Sequence, residues 1–309
     1  MNHRSTVVDY FNKQNNALSG HLVFHGHSYG PRVIILGGTH GNEPAGVEAM
    51  YLISRFMQKG LLLEAGTLEF VIGNPEAYLK DVRYIDYDLN RAFNDTGKCF
   101  GHEEARAGQL RQFLTESGDY DLLIDLHSVS RGDEKIVIHR KDQTKTADFI
   151  HKLKLDYHEL IYSQEYLTGL LIDIGYENGA NAIAVECGNH NSSDAHLVGA
   201  NIILKSIYQH GMIGHGDFEQ FKKELDLSRE VKKRFRFVIF DTVIPNSDDF
   251  KFLFKEDDTI IPLQQGQIYA ESEGEIFKVE KDCFLMMPAK NIKKSDCDAG
   301  FFCLRHPIL

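Results

Sequence analysis

The sequence predicts an α/β protein with helices on both faces of a sheet, followed by a small all-β domain. Two observations lead to this fold class. Through roughly the first two-thirds of the 309 residues, short apolar segments alternate with longer segments of helical period. From about residue 232 onward the helical period is lost, and short strand-like runs are separated by Asp, Gly, Pro and Asn.

Several apolar segments predict buried strands, because they are rich in β-branched and aliphatic residues and end at turn-forming residues. They cover residues 31–38, 67–75, 120–128, 134–140 and 181–188. Amphipathic segments at 43–60 and 101–118 predict helices. In the first of these, Pro44 lies in the first turn, where its missing N–H is tolerated, and Gly60 marks the predicted end.

The change of pattern near residues 225–232 predicts a domain boundary. We expect residues 1–230 to form the α/β domain and residues 231–309 to form the β domain. The β domain is predicted from the runs RFVIFDTVI, TIIPLQQGQIYA, GEIFKVEKDCFLMMP and AGFFCLR.

Composition excludes several classes of protein. The formal net charge of -11 argues against nucleic acid or an anionic membrane as a partner. The five cysteines are scattered without a C-x-x-C pair, so neither a disulfide framework nor a thiolate zinc site is predicted. The polar first residues do not resemble a signal peptide, and no apolar run approaches the ~20 residues of a membrane span. We expect a soluble cytoplasmic protein; whether it forms a homo-oligomer is left open.

Polar side chains collect where the predicted strands end, which is where open α/β sheets place their functional groups. They are His40 and Glu43 after the first strand, His127 at the end of the third, Glu186 at the end of the fifth, and the cluster RYIDYDLNR at 83–91. Two histidines and a carboxylate with one open position are a common catalytic zinc set. Gly37, Gly38 and Gly41 allow a tight turn around the first pair.

Each of these residues also has a structural explanation. His40 can cap the following helix, His127 can be a hydrogen-bonded core histidine, and Glu186 can pair with a neighbouring base. The cluster at 83–91 can be a polar turn in solvent. Because such groups occur together at several predicted strand ends, a shared functional site explains them better than four independent structural roles.

Four motifs carry a family resemblance. The segments GGTHGNE, RYIDYDLNRAF, LIDLHS and AIAVECG, in this order and approximate spacing, resemble the succinylglutamate desuccinylase/aspartoacylase family, a branch of the zinc carboxypeptidase superfamily. The resemblance covers most of residues 30–230, and the β-rich tail is similar in style to the C-terminal domain of the family. It implies a zinc-carboxypeptidase-like mixed sheet flanked by helices, with the β domain covering the active-site entrance.

The resemblance implies a zinc centre around the turn GGTHGNE. One zinc ion per chain would be bound by His40, Glu43 and His127. Glu186 stands where the family has its general base, and Asp88 where a carboxylate supports the first zinc-binding histidine. A carboxylate in that position fixes the tautomer and direction of a ligating imidazole.

The same resemblance assigns the substrate contacts. Arg83 matches the arginine that helps to polarise the scissile carbonyl, and Asn90 and Arg91 match the pair that holds the substrate carboxylate. A fixed guanidinium stabilises charge that develops on a carbonyl oxygen. A planar guanidinium also binds a carboxylate through two parallel hydrogen bonds, which lysine cannot form.

The chain departs from the aspartoacylase pattern in two places. The stretch before Glu186 (170–186) has no arginine, and residues 283–296 have no tyrosine, although aspartoacylases use both for a second acidic group of the substrate. The candidates to replace them are Lys290, Lys293, Lys294 and Arg131, and DLHSVSRG leans towards the succinylglutamate type. We expect the other histidines of interest to be surface or structural residues: His25, His27, His102, His139, His190 and His196.

Three functional hypotheses follow. The first is a zinc-dependent amidohydrolase that cleaves an N-acyl amino acid of N-acetyl or N-succinyl type. The second is a metallocarboxypeptidase acting on small peptides, against which the β domain argues, since in the family it narrows the entrance. The third is a non-catalytic, metal-dependent binding protein on the same fold, against which the complete set of ligands, base and arginine argues.

Overall fold

The five strands and two helices predicted for the α/β part are present close to their predicted positions, and the structure adds helices and strands that were not predicted. The protein is described from a computed structural model covering residues 2–14, 16–94, 101–225, 234–254, 257–290, 292–294, 296 and 298–306. Within these residues the α-helices are α1 (His3–Phe11), α2 (Pro44–Lys59), α3 (Pro75–Lys80), α4 (His102–Glu116), α5 (Thr144–Leu153), α6 (Leu171–Glu177), α7 (Ala195–Gln209) and α8 (His215–Glu224). Short 3₁₀ turns lie at Asn12–Gln14 and Leu89–Arg91.

The strands of the first part are β1 (His21–His25), β2 (Ser28–Gly37), β3 (Ala65–Ile72), β4 (Leu122–Val129), β5 (Lys135–Arg140), β6 (His158–Tyr162) and β7 (Asn181–Asn189). Those of the C-terminal part are β8 (Arg236–Val243), β9 (Lys251–Phe252), β10 (Ile260–Leu263), β11 (Ile268–Ser272), β12 (Glu275–Lys278), β13 (Cys283–Met286) and β14 (Gly300–His306).

One large mixed sheet organises the molecule. Its eleven strands follow the order β1-β3-β2-β4-β7-β5-β6-β8-β14-β13-β10. The strands β3, β2, β4 and β7 run parallel to one another, whereas β5 is antiparallel to β7. The residues at the carboxyl ends of β2, β4 and β7 therefore meet at one edge of the sheet. The predicted fold class, a mixed sheet flanked by helices, is confirmed.

The core lies on both faces of this sheet because side chains alternate along each strand. Val33 and Ile35 of β2 pack into the core beneath α2, α5 and α7, and Ile34 and Leu36 pack into the core beneath α4 and α6. All four side chains are completely buried. A strand buried on both faces has the continuous apolar sequence seen in RVIIL.

The C-terminal strands continue the main sheet. Strand β8 pairs in parallel with β6, with Leu160 opposite Phe237, and β14, β13 and β10 follow in antiparallel order. Strands β9, β11 and β12 form a second, three-stranded sheet. The predicted boundary falls largely in residues 226–233, which lie outside the described residues, so the division into 1–230 and 231–309 stays a prediction.

Individual elements follow their local signals. Helix α2 begins at Pro44 and ends at Lys59, and it is capped by Gly60, whose backbone is left-handed with φ of 118°. Cys187, Cys283 and Cys303 are buried free thiols, and Cys99 and Cys297 lie outside the described residues. Throughout the part of the chain that the structure describes, no helix combines the length and hydrophobicity that crossing a bilayer would require.

A buried carboxylate in α4 organises the loop that carries the 83–91 cluster. Glu103 is completely buried, and its Oε1 accepts hydrogen bonds from the Asn74 amide (2.9 Å) and the Ile85 backbone N–H (2.7 Å). Its Oε2 accepts from the backbone N–H groups of Asp86 (2.9 Å) and Tyr87 (3.1 Å). One side chain thereby satisfies three consecutive backbone donors and fixes the course of the loop.

We expect Glu103→Ala to lower the free energy of unfolding by about 2–4 kcal/mol, because it leaves the buried Asn74 amide and three partly buried backbone N–H groups without their charged acceptor. Glu104→Ala is the matched control: it removes the same charge from the same helical turn, but its side chain is exposed. The control should stay within about 0.5 kcal/mol of the native protein. Urea denaturation measures both, and equal losses would contradict the role of Glu103.

Candidate active site

The residues predicted from the strand ends converge at the carboxyl edge of the parallel strands. His40 and Glu43 lie in the turn between β2 and α2. His127 near the end of β4 lies directly opposite Glu186 of β7 in the sheet register. This pairing brings side chains 59 positions apart in sequence to neighbouring positions, because both strands run in the same direction.

Glycines make the first turn possible. Gly38 has a left-handed backbone with φ of 70°. Gly41 lies so close to the backbone of α3 that a Cβ there would be 2.1 Å from the carbonyl carbon of Ala77. The chain can therefore pass beneath α3 and still direct His40 and Glu43 inward.

Glu43 is the common partner of the two histidines. Its Oε1 lies 2.9 Å from Nδ1 of His40, and its Oε2 lies 3.0 Å from Nδ1 of His127. It also accepts from Arg83 at 3.2 Å and from the backbone N–H of Ser128 at 3.0 Å. His40, Glu43 and His127 are each only 4 % exposed. One ligand atom from each of the three lies within 4.8 Å of the others, so this group could hold a metal ion.

Each histidine is held on its far side by an aspartate. Nε2 of His40 lies 2.9 Å from Asp88, and Nε2 of His127 lies 2.8 Å from Asp125. Asp125 is completely buried and also accepts a hydrogen bond from Thr39 at 2.7 Å. With both Nε2 atoms held, the two Nδ1 atoms face the Glu43 carboxylate. Asp125 was not predicted from the sequence as part of the site, although this residue lies only two positions before His127.

The electrostatics of this cluster favour a positive charge at its centre. Burial and Arg83 lower the pKa of His40, but Asp88 and Glu43 outweigh them and raise it above its usual value. Burial by itself raises the pKa of Glu43, yet the two histidines hold it well below its usual range. Carboxylates that surround buried imidazoles in this way provide a donor set suited to a cation.

Glu186 differs from the other carboxylates of the site. It is 8 % exposed, and its Oε2 is buried without a hydrogen-bond partner among the described residues. Burial raises the pKa of Glu186 to about 7. A carboxylate in this state can accept and release a proton near neutral pH.

The 83–91 loop supplies the remaining predicted residues. Arg83 bridges Glu43 and Asp88, at 3.2 and 2.8 Å, and its side chain is 44 % exposed. Asn90 accepts from the Leu171 backbone N–H at 2.9 Å, which fixes its amide. Arg91 forms an ion pair with Asp298, which lies just before β14, with 2.5 Å between Nη2 and Oδ2.

A cavity of about 590 Å³ joins these groups. All eight residues named from the sequence line it: His40, Glu43, Arg83, Asp88, Asn90, Arg91, His127 and Glu186. Part of its wall comes from the C-terminal segment, including Met287, Pro288 and Asp296. The structure therefore brings the predicted residues together in one enclosure to which both predicted domains contribute.

The structure distinguishes among the basic residues that the sequence offered as partners for a second acidic group of the substrate. Arg131 and Lys290 line the cavity, and both pair with Asp257, at 3.3 and 3.0 Å. Lys293 also lines the cavity but is exposed, and Lys294 is exposed and is not among the lining residues.

His190, which was predicted from the sequence to be a surface or structural residue, lines the cavity. Its Nδ1 lies 3.0 Å from the hydroxyl of Ser128, beside the His127 strand end. Burial lowers the pKa of His190, which favours the neutral imidazole. Its position four residues after Glu186, beyond the same strand, is the signal that could have identified it.

Comparison with known proteins gives the family. A sequence model of the succinylglutamate desuccinylase/aspartoacylase catalytic domain matches residues 29–205, more than half of the chain. The chain is 41% identical to a probable aspartoacylase of Acaryochloris marina over 106 residues, which are 32% of this chain and 35% of that protein. It is 34% identical to a succinylglutamate desuccinylase of Pseudomonas aeruginosa over 108 residues, 33% of this chain and 32% of that protein. These matches span about a third of the relatives' length.

A longer match extends over most of the chain. A succinylglutamate desuccinylase of Shewanella woodyi is 27% identical over 281 residues, which cover 82% of this chain and 76% of that protein. Among solved structures, succinylglutamate desuccinylase from Vibrio cholerae has a TM-score of 0.72 at 17% identity, covering 93% of this chain and 86% of that one. Murine aminoacylase 3 has a TM-score of 0.62 at 19% identity, covering 89% and 95%. Both structures have the same fold as this chain. Together with the matched catalytic domain, these relations place the chain in the succinylglutamate desuccinylase/aspartoacylase family.

Proposed function

We propose that the protein is a zinc-dependent amidohydrolase that cleaves a small N-acyl amino acid, of N-acetyl or N-succinyl type, into the amino acid and a carboxylate. One observation carries this proposal. The donor atoms of His40, Glu43 and His127 converge within 4.8 Å in a cavity of about 590 Å³. Glu186 lines the same cavity, and its Oε2 has no hydrogen-bond partner among the described residues. Cavities of this size accept small molecules.

The donor set suits zinc. Two imidazole nitrogens and one carboxylate are three ligands of the types that zinc takes in catalytic sites, and aspartates hold the far side of both imidazoles. When bound by these residues, zinc would supply a Lewis acid that polarises the amide carbonyl and lowers the pKa of water. The acidic surroundings of the cluster support a cation at this position.

The remaining residues supply proton transfer and charge stabilisation. Glu186 takes a proton from the attacking water as the new C–O bond forms, and it gives that proton to the leaving nitrogen as the C–N bond breaks. Arg83, which already reaches Glu43, would face the carbonyl oxygen and stabilise the negative charge that develops there. Arg91 and Asn90 would hold the substrate carboxylate.

Two other functions remain as alternatives: a metallocarboxypeptidase for small peptides, and a metal-dependent binding protein without turnover. The names of the relatives, desuccinylase and aspartoacylase, favour the deacylase. The experiment that separates them is turnover of a panel of N-acetyl and N-succinyl amino acids alongside short peptides. Release of amino acid from acylated substrates alone supports the proposal, and peptide cleavage alone or no turnover would reject it.

The metal is tested by its content and its loss. We expect one zinc per chain by elemental analysis, and a chelator should remove zinc and activity together. His40→Ala should lose the metal because it removes one of three ligands. His25→Ala, at an exposed histidine outside the cavity, is the control. Full zinc content in the His40→Ala protein would show that the metal binds elsewhere.

The base is tested by Glu186→Gln. We expect this protein to keep its zinc and its thermal stability but to lose about 10²–10⁴-fold in kcat, because only proton transfer is removed. The control is Glu177→Gln, an exposed carboxylate just before β7. A Glu186→Gln protein within tenfold of the native kcat would require a different base.

Substitutions of Arg91 and Arg83 should change different kinetic parameters. Arg91→Ala removes a contact made in both ground and transition states, so its loss should appear mainly in KM. Arg83→Ala removes stabilisation that grows in the transition state, so kcat should fall by about 10²–10³-fold. Converting the substrate carboxylate to an amide should resemble Arg91→Ala and add little to it, because both changes remove the same ion pair. If amidation of the substrate had no effect, the carboxylate assignment of Arg91 would be wrong.

A further inference from the structure

The guanidinium proposed to receive the substrate carboxylate already holds a carboxylate of this chain. Nε and Nη2 of Arg91 both donate to Oδ2 of Asp298, at 2.9 and 2.5 Å. Nη1 of Arg91 donates to the backbone carbonyl of Asn90 at 2.7 Å. The side chains of the pair are only 12% and 17% exposed. The Nε–Nη2 edge, one of the edges through which arginine grips a carboxylate at two points, is therefore occupied from within.

The backbone next to Asp298 is anchored to the main sheet. The backbone N–H of Ala299 donates to the carbonyl of Val243 in β8 at 2.7 Å, and its carbonyl accepts from Ala289 at 2.9 Å. Strand β14 begins at the next residue, Gly300. These bonds fix the position from which the Asp298 carboxylate reaches into the cavity.

Other cations of the cavity have internal acidic partners as well. Arg83 contacts Glu43 and Asp88, and Arg131 and Lys290 share Asp257. The Arg91 side chain is less exposed than that of Arg83, at 12% against 44%. An entering carboxylate can use the Nε–Nη2 edge of this buried guanidinium only by replacing Asp298.

We propose that Asp298 is a specificity-determining residue that competes with the substrate carboxylate for Arg91. The inference rests on the proposed function, in which Arg91 receives that carboxylate. A carboxylated ligand exchanges one ion pair for another, so its net gain is smaller than with an open arginine. A ligand without a carboxylate leaves the internal pair intact. Asp298 thereby reduces the preference of the site for carboxylated over neutral ligands, which is a difference between two affinities.

A different role for Asp298 has the opposite consequence. If Asp298 only oriented Arg91 for the ligand, its removal would weaken carboxylate binding. If it only added negative charge to the cavity, any nearby acidic residue would have a similar effect. The sign of the change, and its dependence on Arg91 and on the ligand carboxylate, separate these roles.

The test compares two probes that differ only in the carboxylate, N-acetyl-L-leucine and N-acetyl-L-leucinamide. Leucine suits the aliphatic part of the cavity wall, which includes Ile138, Leu167 and Leu170. Binding is measured by ligand-observed NMR on the zinc-loaded full chain carrying Glu186→Gln, so that the amide bond stays intact. In that background Asp298→Asn should tighten the acid about tenfold, the scale of one hydrogen bond to a charged group. The leucinamide should be unaffected.

The control variants decide between local competition and general electrostatics. Adding Arg91→Ala should abolish the gain in affinity for the acid, because the guanidinium for which Asp298 and the ligand carboxylate compete is then absent. Asp241→Asn removes one negative charge at an exposed residue of β8 outside the cavity lining, and should leave both affinities unchanged. Asp298→Ala is the second variant, and it should change the affinity for the acid in the same direction as Asp298→Asn. Both variants must keep the native unfolding temperature.

Three results would overturn the proposal: an Asp298→Asn protein that binds the acid no more tightly than its parent or not at all, one that tightens both probes equally, or a gain that survives Arg91→Ala. The hydrolysis panel is a separate measurement. If the protein turns over no substrate but Asp298→Asn still tightens binding of the acid, only the proposed reaction is rejected. If the protein turns over substrate but Asp298→Asn does not tighten binding of the acid, only the role of Asp298 is rejected.

Discussion

A single buried carboxylate connects the parts of the site. Glu43 accepts from His40 beside it, from His127 and the Ser128 backbone on β4, and from Arg83 on the 83–91 loop. A buried carboxylate is stable only when such donors surround it, so the turn after β2, the end of β4 and the loop are held in one relative arrangement. The convergence of donor atoms on a metal-sized space follows from this constraint.

Around Glu43 the charges are arranged in layers. Asp88 and Asp125 hold the outer nitrogens of the two histidines, and the Glu103 carboxylate holds the backbone of the loop that carries Asp88. Each layer orients the one inside it, because a side chain that makes a fixed hydrogen bond on one face presents a fixed atom on the other. Glu186 stands apart from this network, because its buried Oε2 has no hydrogen-bond partner among the described residues. This difference suits a group that transfers protons rather than one that holds position.

The C-terminal part contributes to the site through the sheet. Because β8 pairs with β6 and β14 pairs with β8, the C-terminal strands extend the main sheet, and the segment before β14 lines the cavity. It brings Asp298 to Arg91, a contact between residues 207 positions apart. The cavity therefore combines a side built by parallel strands, where His40, Glu43 and His127 could hold a metal ion, with a side on which acidic and basic side chains of this chain are already paired.

The sequence by itself determined the elements and residues that have local signals. Continuous apolar runs identified β2, β4 and β7, and the carboxyl ends of parallel strands meet at one edge of the sheet. His40, Glu43, His127 and Glu186 could be named as candidate site residues for this reason, and the four motifs added the loop residues. Tertiary structure alone decided the contacts without a local signal. Helix α7 was not predicted. The partners Asp125, Glu103 and Asp298 were not identified either, since a buried acid looks like a surface acid in sequence until the fold shows which donors surround it. The pairing of Arg91 with Asp298 depends on how β14 joins the sheet, and no periodicity or spacing in either segment encodes that register.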